Sequence, residues 1–338
     1  MPGEIPDREE DPIQVEQPCW ETIKRLQRGS EFKRSDETLP NCTIECEGKR
    51  YTIEVIENGE DPALADVQKL FEDTFGQEEV DPEKILRSAV NGITSWGTPE
   101  EKYRIVTVRN EKGELASTFA GAQLELLNEQ GQPTGEAAYF VGYAVTNPKL
   151  RQKGLAKEAY ISALIDAQKE AQNGGRKLKF AIGECTYTSE KFWNSVGWKR
   201  VYSKEEGNQY RELEYIQPAL DFDEDTGEMA EGAGEAPEHL MVDNFGEGAP
   251  NKEEIRQSYM AFMDYNLTWP EGAFNNPEAY GRQRQYVDGI TSRFVDSLKS
   301  GGDLVFLSAK ERVTVKKGGT KILEHNGANH GEAGKEDF

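Results

Sequence analysis

The chain first shows a clear alternation of apolar and polar positions around residue 50. Tyr51, Ile53 and Val55 would lie on one face of a strand, and Glu47 and Gly48 stand in a turn before it. Alternation with a period of two is typical of a half-buried β-strand, and a polar residue followed by glycine is typical of a two-residue hairpin turn. The pattern therefore predicts a β-hairpin as the first pair of strands.

Apolar residues with helical spacing follow the hairpin in two stretches. Each stretch begins with aspartate and proline, at Asp61 and at Asp81, which is the favoured order for a helix cap and first turn. An antiparallel meander of three strands is predicted next, over 103–109, 115–127 and 137–146. A helix is predicted after Arg151, and a strand over 177–183 follows it. A short helix over 189–196 and two last strands over 199–202 and 210–216 complete the order.

This order of elements predicts an α/β (α+β) fold, in which helices flank a mixed, mostly antiparallel sheet. A short amphipathic helix around Ile23 is expected to dock on the domain, and an acidic, Gly-rich stretch is typical of a solvated linker. A small α+β module with a hairpin over 304–307 and 313–315 comes last. The predicted segments are a partly disordered arm 1–42, a main domain 43–217, a linker 218–250, the module 251–324 and a disordered tail 325–338.

The charge of the chain changes the expected partners. It has 40 Lys and Arg residues against 62 Asp and Glu residues, a formal net charge of -22. Such a charge repels nucleic-acid backbones and anionic bilayers, so we expect a cationic or amine-bearing ligand, small molecule or protein, rather than nucleic acid or membrane. No apolar stretch approaches the roughly 20 residues of a membrane span, and no signal-peptide pattern is present, so a cytoplasmic location is expected.

The few histidines and cysteines exclude further classes of site. The histidines are His239, His325 and His330, which excludes a Ser-His-Asp hydrolase or a histidine-ligated metal in the first 238 residues. The four cysteines lack zinc-site spacing, and the predicted main domain has no histidine to deprotonate Cys185. We therefore expect no metal cofactor and an unreactive Cys185.

A basic turn with one glycine joins a predicted strand to a predicted helix. The start of a helix carries unpaired N–H groups and about half a positive charge, so it can bind phosphate. Small residues let an anion approach the main chain, and basic residues add charge. The residues alone leave two interpretations open, a phosphate site or an ordinary solvated turn. The turn consists of Arg151, Gln152, Lys153, Gly154, Leu155 and Ala156.

The same turn resembles motif A of the GNAT N-acetyltransferases, which reads Arg or Gln, two residues, Gly, one residue, and Gly or Ala. Pro148, three residues before Arg151, is also typical of the motif. Downstream, the aromatic pair Phe192-Trp193, followed after three residues by Gly197 and Trp198, resembles motif B. The predicted order of elements from 43 to 216 is also the order of this family, so the resemblance covers about 170 residues.

The resemblance implies an N-acetyltransferase in which an amine attacks acetyl-CoA directly, without an acyl-enzyme. It implies that backbone groups at Ala144, Val145 and Thr146 bind the pantetheine arm as an extra strand would. The main-chain N–H groups from Gln152 to Ala156 would then hold the pyrophosphate. Trp193 is expected to pack in the core and is also a candidate for lining the acyl pocket.

The sequence departs from the family pattern at the usual proton-transfer groups. No carboxylate stands in Val141-Gly142-Tyr143, and Trp193 occupies the position of the usual acidic tyrosine. Replacement bases are Glu184 and Glu136, and replacement proton donors are Tyr187 and Tyr143.

These departures leave an alternative function open. A GNAT fold that binds CoA without turnover, as a regulatory or assembly protein, would keep the phosphate turn and lose the proton-transfer groups. The C-terminal module could cover the site, help to choose the acceptor, or form a homodimer contact.

Overall fold

A computed structural model describes residues 18–323, except 93–102, 129, 131, 187, 208 and 214. The described chain forms eight helices: α1 (Pro18–Arg28), α2 (Ala63–Phe75), α3 (Glu83–Val90), α4 (Leu155–Asn173), α5 (Glu190–Val196), α6 (Lys252–Phe262), α7 (Pro277–Ser300) and α8 (Ala309–Lys317). Among the described helices, none is both long enough and apolar enough to cross a membrane.

Thirteen strands form one sheet in the described chain. They are β1 (Lys33–Arg34), β2 (Cys42–Cys46), β3 (Lys49–Ile56), β4 (Tyr103–Asn110), β5 (Leu115–Leu127), β6 (Pro133–Thr146), β7 (Lys177–Cys185), β8 (Lys199–Glu205), β9 (Gln209–Glu212), β10 (Tyr215–Gln217), β11 (Ala236–Asp243), β12 (Leu304–Leu307) and β13 (Lys321–Leu323).

The sheet is mixed and mostly antiparallel, which confirms the predicted fold class. Strands β1 to β6 pair in chain order and antiparallel, and β7 then pairs parallel to β6 across the connection made by α4. Beyond β7 the order becomes β11 and then β8, both antiparallel. The predicted first hairpin is confirmed, and its turn residues Glu47 and Gly48 have φ angles of 51° and 72°. Positive φ at both positions is what a type I′ turn requires.

β6 and β7 separate halfway along their length because β6 contains a bulge. Ala120 of β5 pairs with Tyr143, and Gly121 pairs with Val141, so Gly142 has no partner in β5. A bulge of one extra residue bends its strand and increases the local twist. The last pair between β6 and β7 is Val141 with Gly183, and beyond it residues 142–146 pair with β5 only. The sheet is therefore open between the ends of β6 and β7.

Helices cover the sheet on both faces, so the core has two main layers. One layer holds apolar residues of α1, α4 and α5, and the other holds those of α2, α3, α6 and α7. Side chains of β7 alternate between them, since Ile182 belongs to the second layer and Ala181 and Cys185 belong to the first. The face covered by α2, α3, α6 and α7 is called the α6 face below.

The acidic stretch 218–250, predicted as a linker, instead contains a central strand of the sheet. β11 lies between β7 and β8, and Leu240, Met241 and Val242 in it are buried. The prediction of a linker was wrong because only three consecutive apolar residues mark this strand, and pairing with distant strands stabilises it. The C-terminal segment packs on the same sheet, with Phe262 of α6 stacked 3.5 Å from Phe140 of β6 between ring centroids.

Two further elements differ from prediction. The predicted strand 313–315 lies in α8, because Ser308 and Glu311 form a capping box that starts a helix there. The predicted strand 210–216 divides into β9, which pairs with β8, and β10, which pairs with β11. The predicted tail 325–338 lies outside the described residues, as does the arm up to residue 17.

The described part of the N-terminal arm docks on the domain, as the helix around Ile23 predicts. Cys19, Ile23 and Leu26 of α1 are buried in the layer that contains α4. Arg34 forms a buried ion pair with Glu158 in the first turns of α4, at 3.1 Å between Nη1 and Oε2. The arm is therefore part of the packed structure next to the basic turn.

Candidate active site

The basic turn has the backbone of an anion-binding loop. Gln152 and Gly154 have φ angles of 63° and 75°, and Gly154 stands immediately before α4. No side chain caps the first turn of α4. Its N–H groups therefore face the loop, and successive N–H groups in such a turn form a concave site for anions.

Side chains around the turn leave Gly154 accessible on one side and close to the arm on the other. A Cβ at Gly154 would lie 3.5 Å from a ring atom of Phe32. Lys157 Nζ donates a hydrogen bond of 2.6 Å to the Gly29 carbonyl, and Arg151 Nε lies 3.4 Å from the Thr146 carbonyl that it contacts. Lys153 is exposed. Positive side chains thus surround the loop.

The open end of β6 lies directly before this loop. Ala144, Val145 and Thr146 follow the bulge, where β5 is the only paired neighbour among the described strands. The structure therefore brings the six residues of the turn and Ala144, Val145 and Thr146 to the same end of the sheet. That these two groups of residues hold the two parts of CoA stays a prediction of the resemblance.

Glu184 stands on the opposite side of the opening, one residue after the last pair of β6 and β7. Tyr215 of β10 donates a hydrogen bond of 2.5 Å from its hydroxyl to Glu184 Oε2. Burial raises the pKa of Glu184 to about 7, against the lowering effect of that hydrogen bond. A carboxylate whose pKa lies near neutrality is suited to general base catalysis.

Tyr143 lies on the β6 side of the opening and contacts a second carboxyl group. Its hydroxyl donates a 3.0 Å hydrogen bond to Asp81 Oδ2 and accepts one of 3.2 Å from the Asp81 N–H. Phe71 stacks on the Tyr143 ring, with centroids 4.3 Å apart. Burial raises the pKa of Asp81 to about 7 and holds the pKa of Tyr143 well above its usual range. Tyr143 therefore stays a neutral hydroxyl.

The strand register adds residues that sequence reasoning missed. Glu184 pairs with Leu240, and Tyr215 pairs with Glu238, two residues before Leu240 in β11. Because alternate residues share a face, Glu184, Glu238 and Tyr215 all lie on the α6 face. Glu238 lies in the segment predicted as a linker, and Asp81 was identified only as a helix start. The apolar run after Glu238 is the signal that could have placed it on a strand.

Two of the predicted site residues lie away from the opening between β6 and β7, and a third lies outside the described residues. Glu136 stands at the start of β6 and binds Lys179 at 3.0 Å, at the opposite end of β6 from the opening. Trp193 is buried and packs against Trp198, with ring centroids 4.6 Å apart, in the layer on the other side of the sheet. Tyr187 lies outside the described residues.

The position of β11 also brings a histidine opposite Cys185. His239 is the register partner of Cys185, so the expectation that no histidine lies near this cysteine is wrong. His239 Nδ1 is 2.6 Å from Glu212 Oε1, and both residues are buried. Burial raises the pKa of Cys185 well above its usual range, so the thiol is still not activated. In the part of the chain described, no cluster of three or more His, Cys, Asp or Glu residues could hold a metal ion.

No family model matches the sequence, and no curated protein matches it. Solved structures that resemble part of the chain include a GCN5-related glucosamine N-acetyltransferase region of a fungal multi-domain GH3 beta-N-acetylglucosaminidase. That match has 11% identity and a TM-score of 0.33, and it covers 52% of this chain and 19% of that one. The chain thus spans about a fifth of the length of that protein.

Two other similar structures are matched over most of their length. NAA60 from Arabidopsis thaliana, solved with a bisubstrate analogue, has 12% identity and a TM-score of 0.35, over 57% of this chain and 97% of that one. YhbS from Escherichia coli, a GNAT family N-acetyltransferase in complex with CoA, has 10% identity and a TM-score of 0.34. The match covers 60% of this chain and 85% of that one. All three TM-scores are below 0.5, so these similarities carry no functional argument. Over somewhat more than half of its length, the chain is similar to GNAT N-acetyltransferases.

Proposed function

We propose that the protein transfers an acetyl group from acetyl-CoA to an amine by direct attack. The observation that carries the proposal is the opening between β6 and β7. An anion-binding loop lies at the end of β6, and Glu184, a carboxyl group with a pKa of about 7, lies on the facing strand. One opening therefore combines a site for a phosphate-bearing donor with a base for the acceptor.

The chain's own residues fit CoA at this opening. The uncapped first turn of α4 follows Gly154, whose positive φ and missing side chain let phosphate oxygens approach the N–H groups from Gln152 to Ala156. Arg151 and Lys153 add positive charge beside them. The amide groups of the pantetheine arm would pair with Ala144, Val145 and Thr146 as a short additional strand.

The proposed chemistry needs one proton acceptor and one proton donor. Glu184 takes a proton from the ammonium group, the free amine attacks the acetyl carbonyl carbon, and the carbon–sulfur bond then breaks with its electron pair on the CoA sulfur. That sulfur takes up a proton, for which the neutral hydroxyl of Tyr143 is the candidate donor. The attacking nitrogen loses its second proton to solvent as the amide forms, and Tyr143 regains a proton from solvent. A positioned base contributes roughly 100- to 10,000-fold to the rate of such a step.

One observation favours a second candidate, a CoA-binding protein without turnover. Trp193 stands where motif B usually has its tyrosine, and its buried ring packs against Phe119, Tyr160 and Trp198. An indole cannot protonate a thiolate. In this case the loop would bind CoA and no amine would be acetylated.

The proposal is tested by calorimetric titration with acetyl-CoA, together with thiol release over a panel of amines. Lys153→Gln is expected to weaken acetyl-CoA binding roughly tenfold, because it removes one charge next to the pyrophosphate. Lys310→Gln is the matched control, since Lys310 is equally exposed but lies on α8.

Three results are distinguishable. Binding with thiol release in the presence of an amine supports the proposal. Binding without release on any amine supports the second candidate. A parent protein that does not bind acetyl-CoA, or equal affinities for the Lys153→Gln and Lys310→Gln variants, contradicts the assignment of the loop.

A further inference from the structure

Glu184 has two carboxyl neighbours on the α6 face, and none of the three groups has a basic partner among the described residues. Glu184 and Glu238 are diagonal neighbours across β7 and β11, which places their backbones about 7 to 8 Å apart. Asp81 stands before α3 and binds Tyr143 across the opening, and its charge adds to the effect of burial in raising the pKa of Glu184. Within the described residues none of the three forms an ion pair, and no Lys or Arg side chain lowers the pKa of any of them.

Burial makes this arrangement costly for the protein alone. Asp81 is 5% exposed, and Glu184 and Glu238 are partly exposed. Like charges in a partly desolvated site repel each other, and buried acidic groups are normally paired with cations. The structure contains this repulsion at the position where the proposed acceptor binds, so a positively charged ligand would relieve it.

Buried polar atoms without partners point independently to a ligand. Tyr259 of α6 is fully buried, and in the described structure its hydroxyl has no hydrogen-bond partner. Its ring packs edge-on against Tyr215, with centroids 5.4 Å apart, and burial raises the pKa of its hydroxyl, with a further contribution from the charge of Glu184. Asp81 Oδ1 is also buried and without a partner there. A hydroxyl and a carboxylate oxygen are both acceptors for the N–H groups of an ammonium ion.

We infer that the acceptor is a di- or polyamine, with one amine at Glu184 and a second ammonium group at Glu238. This inference rests on the proposed function and names the class of its acceptor. A monoamine would neutralise one carboxylate and leave Glu238 without a partner. An amino acid would bring its own carboxylate into an already negative site, which costs binding energy.

The C-terminal part of the chain contributes to this selection. Tyr259 belongs to α6, and Phe294 of α7 stacks on its ring, with centroids 3.9 Å apart. Tyr215 and Glu238 belong to β10 and β11. The segment after β9 therefore forms one wall of the proposed acceptor site.

The test compares acceptors that differ only in their second charge. Putrescine, n-butylamine and γ-aminobutyrate share a four-carbon chain, and spermidine extends it. We expect kcat/KM for putrescine to exceed that for n-butylamine roughly tenfold or more, because the second ammonium group of putrescine adds one charge-assisted contact. The value for γ-aminobutyrate should be the lowest, because its carboxylate is repelled by the acidic side chains. Equal values for putrescine and n-butylamine would overturn the inference.

The variant Glu238→Gln tests whether Glu238 causes the preference for putrescine over n-butylamine. It should reduce the ratio of kcat/KM for putrescine to that for n-butylamine roughly tenfold, whereas Glu231→Gln should leave the ratio unchanged because Glu231 is exposed in the loop before β11. An unchanged ratio in Glu238→Gln would contradict the assignment.

Direct titration separates this inference from the proposed function. Calorimetry of the parent protein with putrescine and n-butylamine, each in the presence of CoA, reports binding without turnover. Tighter binding of putrescine together with no thiol release would overturn the proposed function and support the diamine site. Thiol release with equal affinity for the two amines would support the function and overturn the inference.

Discussion

Asp81 is expected to destabilise the folded protein at neutral and alkaline pH. Burial raises its pKa to about 7, whereas an aspartate in the unfolded chain titrates near about 3.9. The folded state therefore holds the proton more tightly than the unfolded state does. The stability of the folded state is largest below the unfolded pKa and falls as the pH rises through the folded pKa.

The size of this effect follows from the two pKa values. Relative to a group that is protonated in both states, Asp81 lowers the free energy of unfolding by about 4 kcal/mol at pH 8 and by about 1.5 kcal/mol at pH 5. Asp81 is 5% exposed, so solvent screens it little. Asp81→Asn removes the charge but keeps an acceptor for the Tyr143 hydroxyl. It should raise the free energy of unfolding at pH 8 by about 2 to 3 kcal/mol more than at pH 5.

Urea unfolding monitored by tryptophan fluorescence at both pH values measures this difference. The control is Asp73→Asn, which removes an exposed carboxylate of α2 that binds Lys69 at 3.0 Å. The control should change the free energy of unfolding by less than about 1 kcal/mol at either pH. If Asp81→Asn changes stability equally at pH 5 and pH 8, Asp81 carries no burial cost and the argument for a strained acidic site fails.

Two other variants test the loop and the arm. Gly154→Val should weaken acetyl-CoA binding at least tenfold, because a branched side chain occupies the approach to the N–H groups and disfavours the φ of 75°. A folded Gly154→Val variant with the parent's affinity in a calorimetric titration would place the phosphate site elsewhere. Arg34→Leu should lower the free energy of unfolding by about 3 to 5 kcal/mol, because it leaves the Glu158 carboxylate buried without its cation. A loss below about 1 kcal/mol in urea unfolding would contradict a structural role for this pair.

Local patterns were sufficient for much of the fold and for one half of the site. The alternation around Ile53 predicted the first hairpin, and the Asp-Pro pairs predicted the start of two helices. The turn from Arg151 to Ala156 predicted both the loop and the start of α4. Each of these features depends on residues that are close in sequence, so its signal is contained in a short window.

The residues of the proposed acceptor site could not be predicted in the same way. Glu184 was identified as a candidate from its position before motif B, but its partner Tyr215 depends on the pairing of β10 with β11. Glu238 reaches the site only because a strand from the acidic segment inserts between β7 and β8. Such pairings join residues that are far apart in sequence, and three apolar residues were too weak a signal against the acidic composition around them. Gly142 was noted only as the absence of a carboxylate, whereas its bulge opens the sheet.

The most direct test of the account is the pH dependence of kcat/KM for acetyl transfer in the parent protein and in Glu184→Gln. The parent should lose activity on the acidic side as Glu184 takes up a proton near pH 7. Glu184→Gln keeps the shape of the side chain and removes its basicity, so its rate should be roughly 100- to 10,000-fold lower, with a flattened acidic limb and an unchanged affinity for acetyl-CoA. A rate within a few-fold of the parent, with the same acidic limb, would contradict the assignment of Glu184 as the base.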